Sequence, residues 1–338
     1  MHTILVIGGS GFIGSHTVVE LVHAGYRPII VDNFNNSESQ TMSRLEELLG
    51  QKVAYYDQDY KDTARLAEII ESEKVSGVIH FAAYKAVGES VKKPLDYYDN
   101  NVSGFINLLK LVTAHGITNF VFSSSAAVYG NPPDECVNEE TVCSPTSPYG
   151  WSKYMDEVIL RDTCTASPSL GGISLRYFNV VGAHETNIIG ELGKGMPQNL
   201  LPIVVEATAH KIPPLTIYGT DYPTPDGTCL RDYVHVVDLA KAHVAALKKL
   251  ESGSSGYHVY NIGTGKPTSV LELIETFQSV NKVAVPYVLG DRRPGDPAAY
   301  YASATKAEQE LNWKATKTIT DAVRDAWQWY EKIKDSVA

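Results

Sequence analysis

The residues with the most chemical potential lie in one run, Ser147-Pro148-Tyr149-Gly150-Trp151-Ser152-Lys153. Serine followed by proline opens a helix: the serine oxygen caps free backbone N–H groups, and proline sits in the first turn, where its missing N–H costs nothing. Residues four apart share a helical face, so the Tyr149 phenol and the Lys153 ammonium are expected to point into the same space. An ammonium about 4 Å from a phenolate, at an effective dielectric of ~20, is worth roughly 4 kcal/mol, or about three pKa units. The spacing therefore predicts a tyrosine drawn from its usual ~10 toward neutrality and fit to act as a base. The same spacing is also common on solvated helix faces, so the elements around it must decide.

Those elements begin at the N-terminus. The apolar run Thr3–Ile7 leads into Gly8-Gly9-Ser10-Gly11-Phe12-Ile13-Gly14 and then an amphipathic stretch to Ala24, which reads as strand, glycine turn, helix. Glycines at 8, 11 and 14 suit a tight turn, close approach of backbone to a pyrophosphate, and close packing of helix on strand, with the helix N-terminus facing the phosphates. A second apolar run ends in Asp32, 18 residues after Gly14, where a carboxylate would accept hydrogen bonds from an adenosine ribose. Asp32 repels a 2′-phosphate and no arginine follows it, so NAD is expected rather than NADP.

Alternation continues with strands predicted over 52–57, 77–81 and 120–122 and helices over 63–72 and 94–115. The fold class is α/β, a doubly wound parallel sheet of the Rossmann type. Ligands bind such sheets at the carboxyl ends of the strands, which here carry Gly8, Asp32, Asp59, Phe81 and Ser123-Ser124-Ser125. One crevice collects them, and Ser125 is expected to meet Tyr149 there.

A further strand over 173–178 ends at Asn179, and regular alternation then degrades. Residues 1–180 are read as the NAD-binding domain, with the chain returning to it near 237–262. Residues 181–338 are read as a smaller mixed α/β substrate domain, irregular from 180 to 232. Helices are expected over 197–211 and 237–250, one opened by the capping box Ser269-Val270-Leu271-Glu272, and one over 320–334 whose Trp327 and Trp329 pack. The loop Gly290-Asp291-Arg292-Arg293-Pro294-Gly295-Asp296 has two readings: a guanidinium fork for phosphate oxygens, or solvated arginines paired with Asp291 and Asp296.

Composition narrows the function classes. The 29 basic and 39 acidic residues leave a net charge of −10, which argues against nucleic-acid and anionic-membrane surfaces. Four cysteines, Cys136, Cys143, Cys164 and Cys229, have neither metal-ligand spacing nor a dense framework and read as free thiols. Ten histidines include no HExxH, and no metal site is expected. No signal peptide or membrane-length apolar stretch is seen, so a soluble cytoplasmic protein is expected.

Together the glycine turn, Asp32, the serine run and the Tyr149/Lys153 pair resemble the extended short-chain dehydrogenase/reductase family. Further marks resemble its UDP-hexose 4-epimerase branch: Lys85-Ala86-Val87-Gly88-Glu89-Ser90, Tyr97-Tyr98-Asp99-Asn100-Asn101, Arg176-Tyr177-Phe178-Asn179, Asp221-Tyr222-Pro223-Thr224 and Arg231-Asp232-Tyr233-Val234-His235. The resemblance implies Tyr149 as catalytic base, Lys153 as its activator and Ser125 as the hydroxyl partner of the sugar. It implies NAD contacts from Gly8, Gly11, Phe12, Ile13, Gly14, Asp32, Asn33, Asn36, Ser37, Asp59, Tyr60, Phe81, Lys85, Asn100, Ser123, Tyr149, Lys153 and Phe178. It implies contacts to UDP-glucose or UDP-galactose from Lys85, Ser125, Tyr149, Asn179, Asn199, Leu200, Tyr218, Arg231, Tyr233, Arg293, Asp296 and Tyr300. Arg293 is thereby preferred to Arg292 as the pyrophosphate fork, and a bulky Tyr300 implies exclusion of N-acetylated hexosamines. A homodimer through the helices near 94–115 and 149–162 is implied as well.

Two positions depart from the family pattern: Ile7 and Ala127 stand where relatives carry threonine. Dehydratase relatives place an Asp-Glu pair after the strand-end hydroxyl, where this chain has Ala126 and Ala127 without acid–base capacity. The other readings are a 4-epimerase for UDP-pentoses or UDP-N-acetylhexosamines, a UDP-glucuronate-processing enzyme, and a non-catalytic NAD or nucleotide sensor.

Overall fold

In the computed structural model the described residues are 2–335 except Gly193 and Pro294. Pro294, part of the arginine-loop motif, thus lies outside the described residues. Seven strands form one all-parallel sheet: β1 (Thr3–Ile7), β2 (Arg27–Asp32), β3 (Ala54–Asp57), β4 (Gly77–His80), β5 (Asn119–Ser123), β6 (Gly171–Tyr177) and β7 (Gly256–Ile262). Their order is β7-β6-β5-β4-β1-β2-β3, so the order reverses between β1 and β4 and opens a crevice there. The expected doubly wound parallel sheet is the one observed.

Every β1 residue is buried, as a central parallel strand requires. Its side chains alternate: Ile4 and Val6 join a core with the Phe12–His23 and Val236–Glu251 helices, while Leu5 and Ile7 join another with the Thr63–Glu73, Gly104–Ala114 and Pro148–Ala166 helices. Period-two alternation thus fills two apolar layers from one strand. The last strand, β7, is parallel to β6 from Gly256↔Gly171 to Ile262↔Tyr177. The Ser147 hydroxyl caps its helix by accepting from the Gly150 N–H at 3.1 Å.

The single helix predicted over 94–115 is divided. A π-helical turn, Tyr98–Ser103, separates Pro94–Tyr97 from Gly104–Ala114, and the Tyr60 hydroxyl donates to the Asn100 carbonyl within it. A π turn widens the helix and frees carbonyls for outside partners, a contact that 3.6-residue periodicity does not encode. A further helix, Gln40–Leu49, follows Ser39, whose side chain makes no cap bond.

Beyond residue 180 the sheets are small. Leu230–Arg231 lies between Thr268–Ser269 and Ala299–Ala302, and the latter also pairs with Cys136–Val137 from the loop before the Tyr149 helix. Leu215–Tyr218 pairs with Tyr287–Gly290, and Asn179–Val181 with Tyr233–His235. The stretch expected to be irregular is therefore partly ordered into strands too short to leave a periodic signal. The predicted Ser269/Glu272 capping box is present, and Trp329 is buried in the Ile319–Ile333 helix while Trp327 packs on Phe277 and Tyr330.

Behind the serine run sits a buried polar network. Arg176 of β6 donates to Glu157 through Nε at 2.9 Å and Nη2 at 2.6 Å, and Glu157 also accepts from the Ser124 hydroxyl at 2.5 Å. Arg176 Nη1 donates to the Tyr129 hydroxyl at 3.0 Å, which donates to Asn261 of β7 at 2.7 Å. Removing one member of such a pair strands a buried charge. Glu157→Leu or Arg176→Met alone is expected to cost roughly 3–5 kcal/mol, whereas the double substitution recovers most of that loss. Denaturant unfolding of the four proteins checks this, and simple additivity would contradict it.

Candidate active site

The glycine turn leaves room only for backbone. Gly8 has φ +78°, and a Cβ on Gly14 would run into the Gly8 carbonyl oxygen. Asp32, at the end of β2, is held ready: its carboxylate accepts from the N–H groups of Ser10 and Phe34 at 3.1 and 2.9 Å and from the Ser37 hydroxyl at 3.0 Å. The Ser10 and Ser37 hydroxyls lie 2.7 Å apart. These bonds aim the carboxylate across a cleft of about 390 Å³ that runs from the glycine turn to Tyr149. A backbone-only cradle with a fixed acid opposite it fits the pyrophosphate and adenosine ribose of NAD.

Gly8, Gly11, Phe12, Ile13, Gly14, Asp32, Asn33, Asn36, Ser37, Tyr60, Phe81, Lys85, Asn100, Ser123, Ser125, Tyr149, Lys153, Phe178, Asn179 and Asn199 all line this cleft. Asp59 does not line it; it accepts from the Asn33 side chain at 3.2 Å and from the Lys61 N–H at 2.9 Å, which makes it a support for Asn33.

At the inner end, Tyr149 is buried, and the Ser125 hydroxyl lines the same cleft. Burial pushes the phenol above its ordinary range, and the nearby Ser125 hydroxyl pulls more weakly the other way. This corrects the expectation of a tyrosine lowered by an adjacent ammonium. The Lys153 ammonium instead donates to the Ser123 carbonyl at 2.8 Å and lies over the Phe122 ring at 4.7 Å. Burial pulls Lys153 down to about 8, against the charges of Asp156 and Glu157. The spacing predicted the shared face; it carried no information on how much water the site excludes.

The remaining predicted contacts form a second group past Phe178. Tyr300 packs at a tilt against Phe178, 5.1 Å between ring centroids, donates to the Ala126 carbonyl at 2.7 Å, and is Arg231's strand neighbour. Tyr233 is the register partner of Asn179. Arg231 Nη2 lies 3.6 Å from Asp296, which also accepts from Arg293 Nε at 3.0 Å, and the Arg293 guanidinium sits 4.9 Å from the Tyr218 ring centroid. Arg292 is engaged elsewhere, on Asp221 at 2.7 Å and against Tyr222. Of the two readings of the loop, the pairing of Arg293 with Asp296 is present in this state. Leu200 opens the Leu200–Thr208 helix beside Asn199 and packs into the second region's core.

Sequence reasoning missed several cleft residues. Tyr177 lines the cleft and shares a 2.7 Å hydrogen bond with Ser123. Tyr84, Glu191 and Leu192 also line it, and Glu191 lies 3.5 Å from Lys85. Asn101 ties the site together: its amide donates to the Tyr84 carbonyl and to Ser152 at 3.0 Å each, and its oxygen accepts from the Tyr84 N–H at 2.9 Å. Tyr177 had a legible signal, one position before Phe178 at a strand end; Glu191 and Leu192 sit in a segment without periodicity.

Comparison with known proteins agrees with this geometry. The family model described as GDP-mannose 4,6 dehydratase matches residues 5–326. The chain is 48% identical over 336 residues to UDP-glucose 4-epimerase 2 of Oryza sativa subsp. japonica, covering 98% of this chain and 82% of the relative. A UDP-glucose 4-epimerase from Bifidobacterium longum, solved in complex with NAD+ and UDP, superposes with a TM-score of 0.93 at 47% identity, covering 98% of this chain and 99% of that one. One from Stenotrophomonas maltophila, with bound NAD and formylated UDP-arabinopyranose, gives a TM-score of 0.97 at 42% identity over 99% of this chain and 100% of that one. With the glycine cradle, Asp32 and the Ser125/Tyr149/Lys153 group in one cleft, the chain belongs to the extended short-chain dehydrogenase/reductase family, in its UDP-glucose 4-epimerase branch.

Proposed function

We propose that the protein interconverts UDP-galactose and UDP-glucose by inverting the sugar at C4 with NAD held in the cleft. The observation that carries this reading is the buried Tyr149 beside Ser125, with Lys153 one helical turn away, in the cleft that also contains the glycine cradle. NAD, when bound, supplies a reversible hydride acceptor for sugar C4. Tyr149 takes the proton of the 4′-hydroxyl as that carbon is oxidised, and Ser125 holds the oxygen during the exchange. A 4-keto sugar results, and reduction from its other face, with the proton returned by Tyr149, gives the epimer. Lys153 contributes positive charge that favours the phenolate.

Reversal of faces requires a firmly held nucleotide and a loosely held hexose. Arg231, Arg293, Tyr218, Tyr233, Asn179, Asn199, Leu200 and Asp296 are assigned to UDP, with the two guanidinium groups exchanging Asp296 for diphosphate oxygens. Lys85, Ser125 and Tyr300 are assigned to the sugar. A dehydratase reading lacks its acid, since Ala126 and Ala127 follow Ser125. A sensor without chemistry has no use for a buried base beside the hydride-transfer site.

The homodimer assignment, through the helices near 94–115 and 149–162, is supported by exposed apolar side chains on and just before those helices. Val91 is 63% exposed, Leu95 80%, Trp151 40% and Met155 38%, large apolar groups left to solvent. Net charge −10 supports the absence of nucleic-acid partners, and among the described residues no helix is long and apolar enough to cross a membrane. The four free thiols support a cytoplasmic setting.

Three outcomes are expected. Tyr149→Phe lowers kcat by about a thousandfold while NAD and UDP still bind, and near-normal turnover would sink the assignment of the base. Tyr300→Ser, which removes the ring packed against Phe178, raises turnover of UDP-N-acetylglucosamine relative to UDP-glucose by at least about tenfold; an unchanged ratio contradicts the gate. Val91→Glu with Leu95→Glu converts the dimer to monomer in light scattering, and a persistent dimer places the interface elsewhere.

A further inference from the structure

Among the residues assigned to the substrate, the chain changes sheets at a single position. Arg231 ends the strand Leu230–Arg231 as the parallel register partner of Tyr300, and Tyr233 opens the strand Tyr233–His235 as that of Asn179. Between them stands Asp232, fully buried and outside the lining of the cleft. A strand that swaps partners in one step leaves ladder groups unpaired on both sides, and buried N–H groups must find another acceptor.

Asp232 supplies acceptors to both sides. Its backbone carbonyl accepts from the Asn179 N–H at 3.0 Å, which starts the new ladder. Its side chain stands in for the old one: Oδ2 accepts from the Ala302 N–H at 3.2 Å, two residues beyond Tyr300, and from the Gly265 N–H at 3.1 Å. Oδ1 accepts from the Thr264 N–H at 2.8 Å and from its hydroxyl at 2.7 Å. Gly263 keeps room for this arrangement, since a Cβ there would come within 2.5 Å of Asp232 Oδ2 and 2.7 Å of the Ala302 Cβ. Asn179, Arg231, Tyr233 and Tyr300 therefore take their relative positions from one carboxylate and one carbonyl, which also anchor them to the turn that follows β7.

We propose that Asp232 is the positioning residue of the UDP-sugar grip: its carboxylate completes one ladder and its carbonyl opens the next, which sets Arg231 and Tyr233 at the spacing the nucleotide needs and holds Tyr300 against Phe178. The role rests on the reading of those residues as UDP-sugar contacts, and proton exchange at Tyr149 stays with other elements. The carboxylate thus governs binding rather than chemistry. Asparagine at 232 keeps the shape of the side chain, but its NH2 group faces a backbone N–H whichever way it turns, so part of the hold is lost.

The test compares the NAD-bound wild type with Asp232→Asn by calorimetric titration of UDP and by steady-state kinetics on UDP-galactose. UDP is expected to bind about tenfold more weakly to the variant, with KM raised in the same proportion, kcat within about threefold of wild type and NAD content unchanged. Asp238→Asn is the control for a merely structural carboxylate. Asp238 is also buried, accepts from the Thr316 and Lys317 N–H groups at 2.8 and 2.7 Å, and lies outside the cleft. Its replacement is expected to lower the melting temperature and leave UDP affinity alone. Asp232→Ala, which brings no donor against the N–H groups, keeps the test open if the amide does not fold. Wild-type UDP affinity in a folded variant at 232, or an equal loss in Asp238→Asn, overturns the proposal and leaves Asp232 a structural role. A wild-type protein that neither binds UDP nor turns over UDP-galactose removes the functional reading itself, and this role with it.

Discussion

The contact on which the site depends is the buried clasp between Glu157 and Arg176. Strand ends in an open parallel sheet have no lateral partner beyond the last ladder bond, yet Ser123, Ser124 and Ser125 must present hydroxyl and carbonyl groups to fixed points. Glu157 binds the Ser124 hydroxyl from the helix that also carries Tyr149 and Lys153, and Arg176 binds Glu157 from the next strand. Catalytic helix, strand end and β6 thus become one body. The clasp extends through Tyr129 and Asn261 to β7, so the final strand is joined to the same unit. A buried ion pair is a poor way to gain stability compared with apolar packing. Here it fixes relative position at a place where apolar groups could not aim hydroxyls.

Inside that body two opposed effects set the proton chemistry. Enclosure raises the cost of any charge, holding the Tyr149 phenol neutral and weakening the Lys153 ammonium, whereas local hydrogen bonds and carboxylates work against it. The ligand-free protein therefore holds its base in the protonated form. An oxidised nicotinamide held in the cleft would add positive charge to that of Lys153 and favour the phenolate.

Much of this was legible in the sequence, and the pattern of success has a physical basis. The glycine turn, Asp32 and the Ser147 cap are local: each is a short run whose geometry follows from its own residues, and each stands where it was expected. The sheet class was legible because apolar runs alternate with amphipathic helices. What escaped was non-local. The π turn at Tyr98–Ser103 depends on Tyr60, about forty positions earlier. The role of Asn101 depends on Tyr84 and Ser152, and the shift at Tyr149 depends on how completely water is excluded. The engagement of Arg293 by Asp296 was one of two readings that composition could not separate.

The sheet order carries a consequence for how the chain is made. The edge of β6 has only β5 beside it until Gly256–Ile262 is available, and that strand lies about eighty residues downstream. During synthesis, a largely apolar parallel edge therefore stands open while the intervening segment is still emerging. The Cys136–Val137 pairing with Ala299–Ala302 is completed later still. A fragment ending near residue 180 would present that edge permanently and be prone to self-association. The two halves read most simply as one cooperative folding unit whose closing stitch is β7, which makes grafting a new substrate half onto this dinucleotide half a problem of strand order as much as of pocket shape.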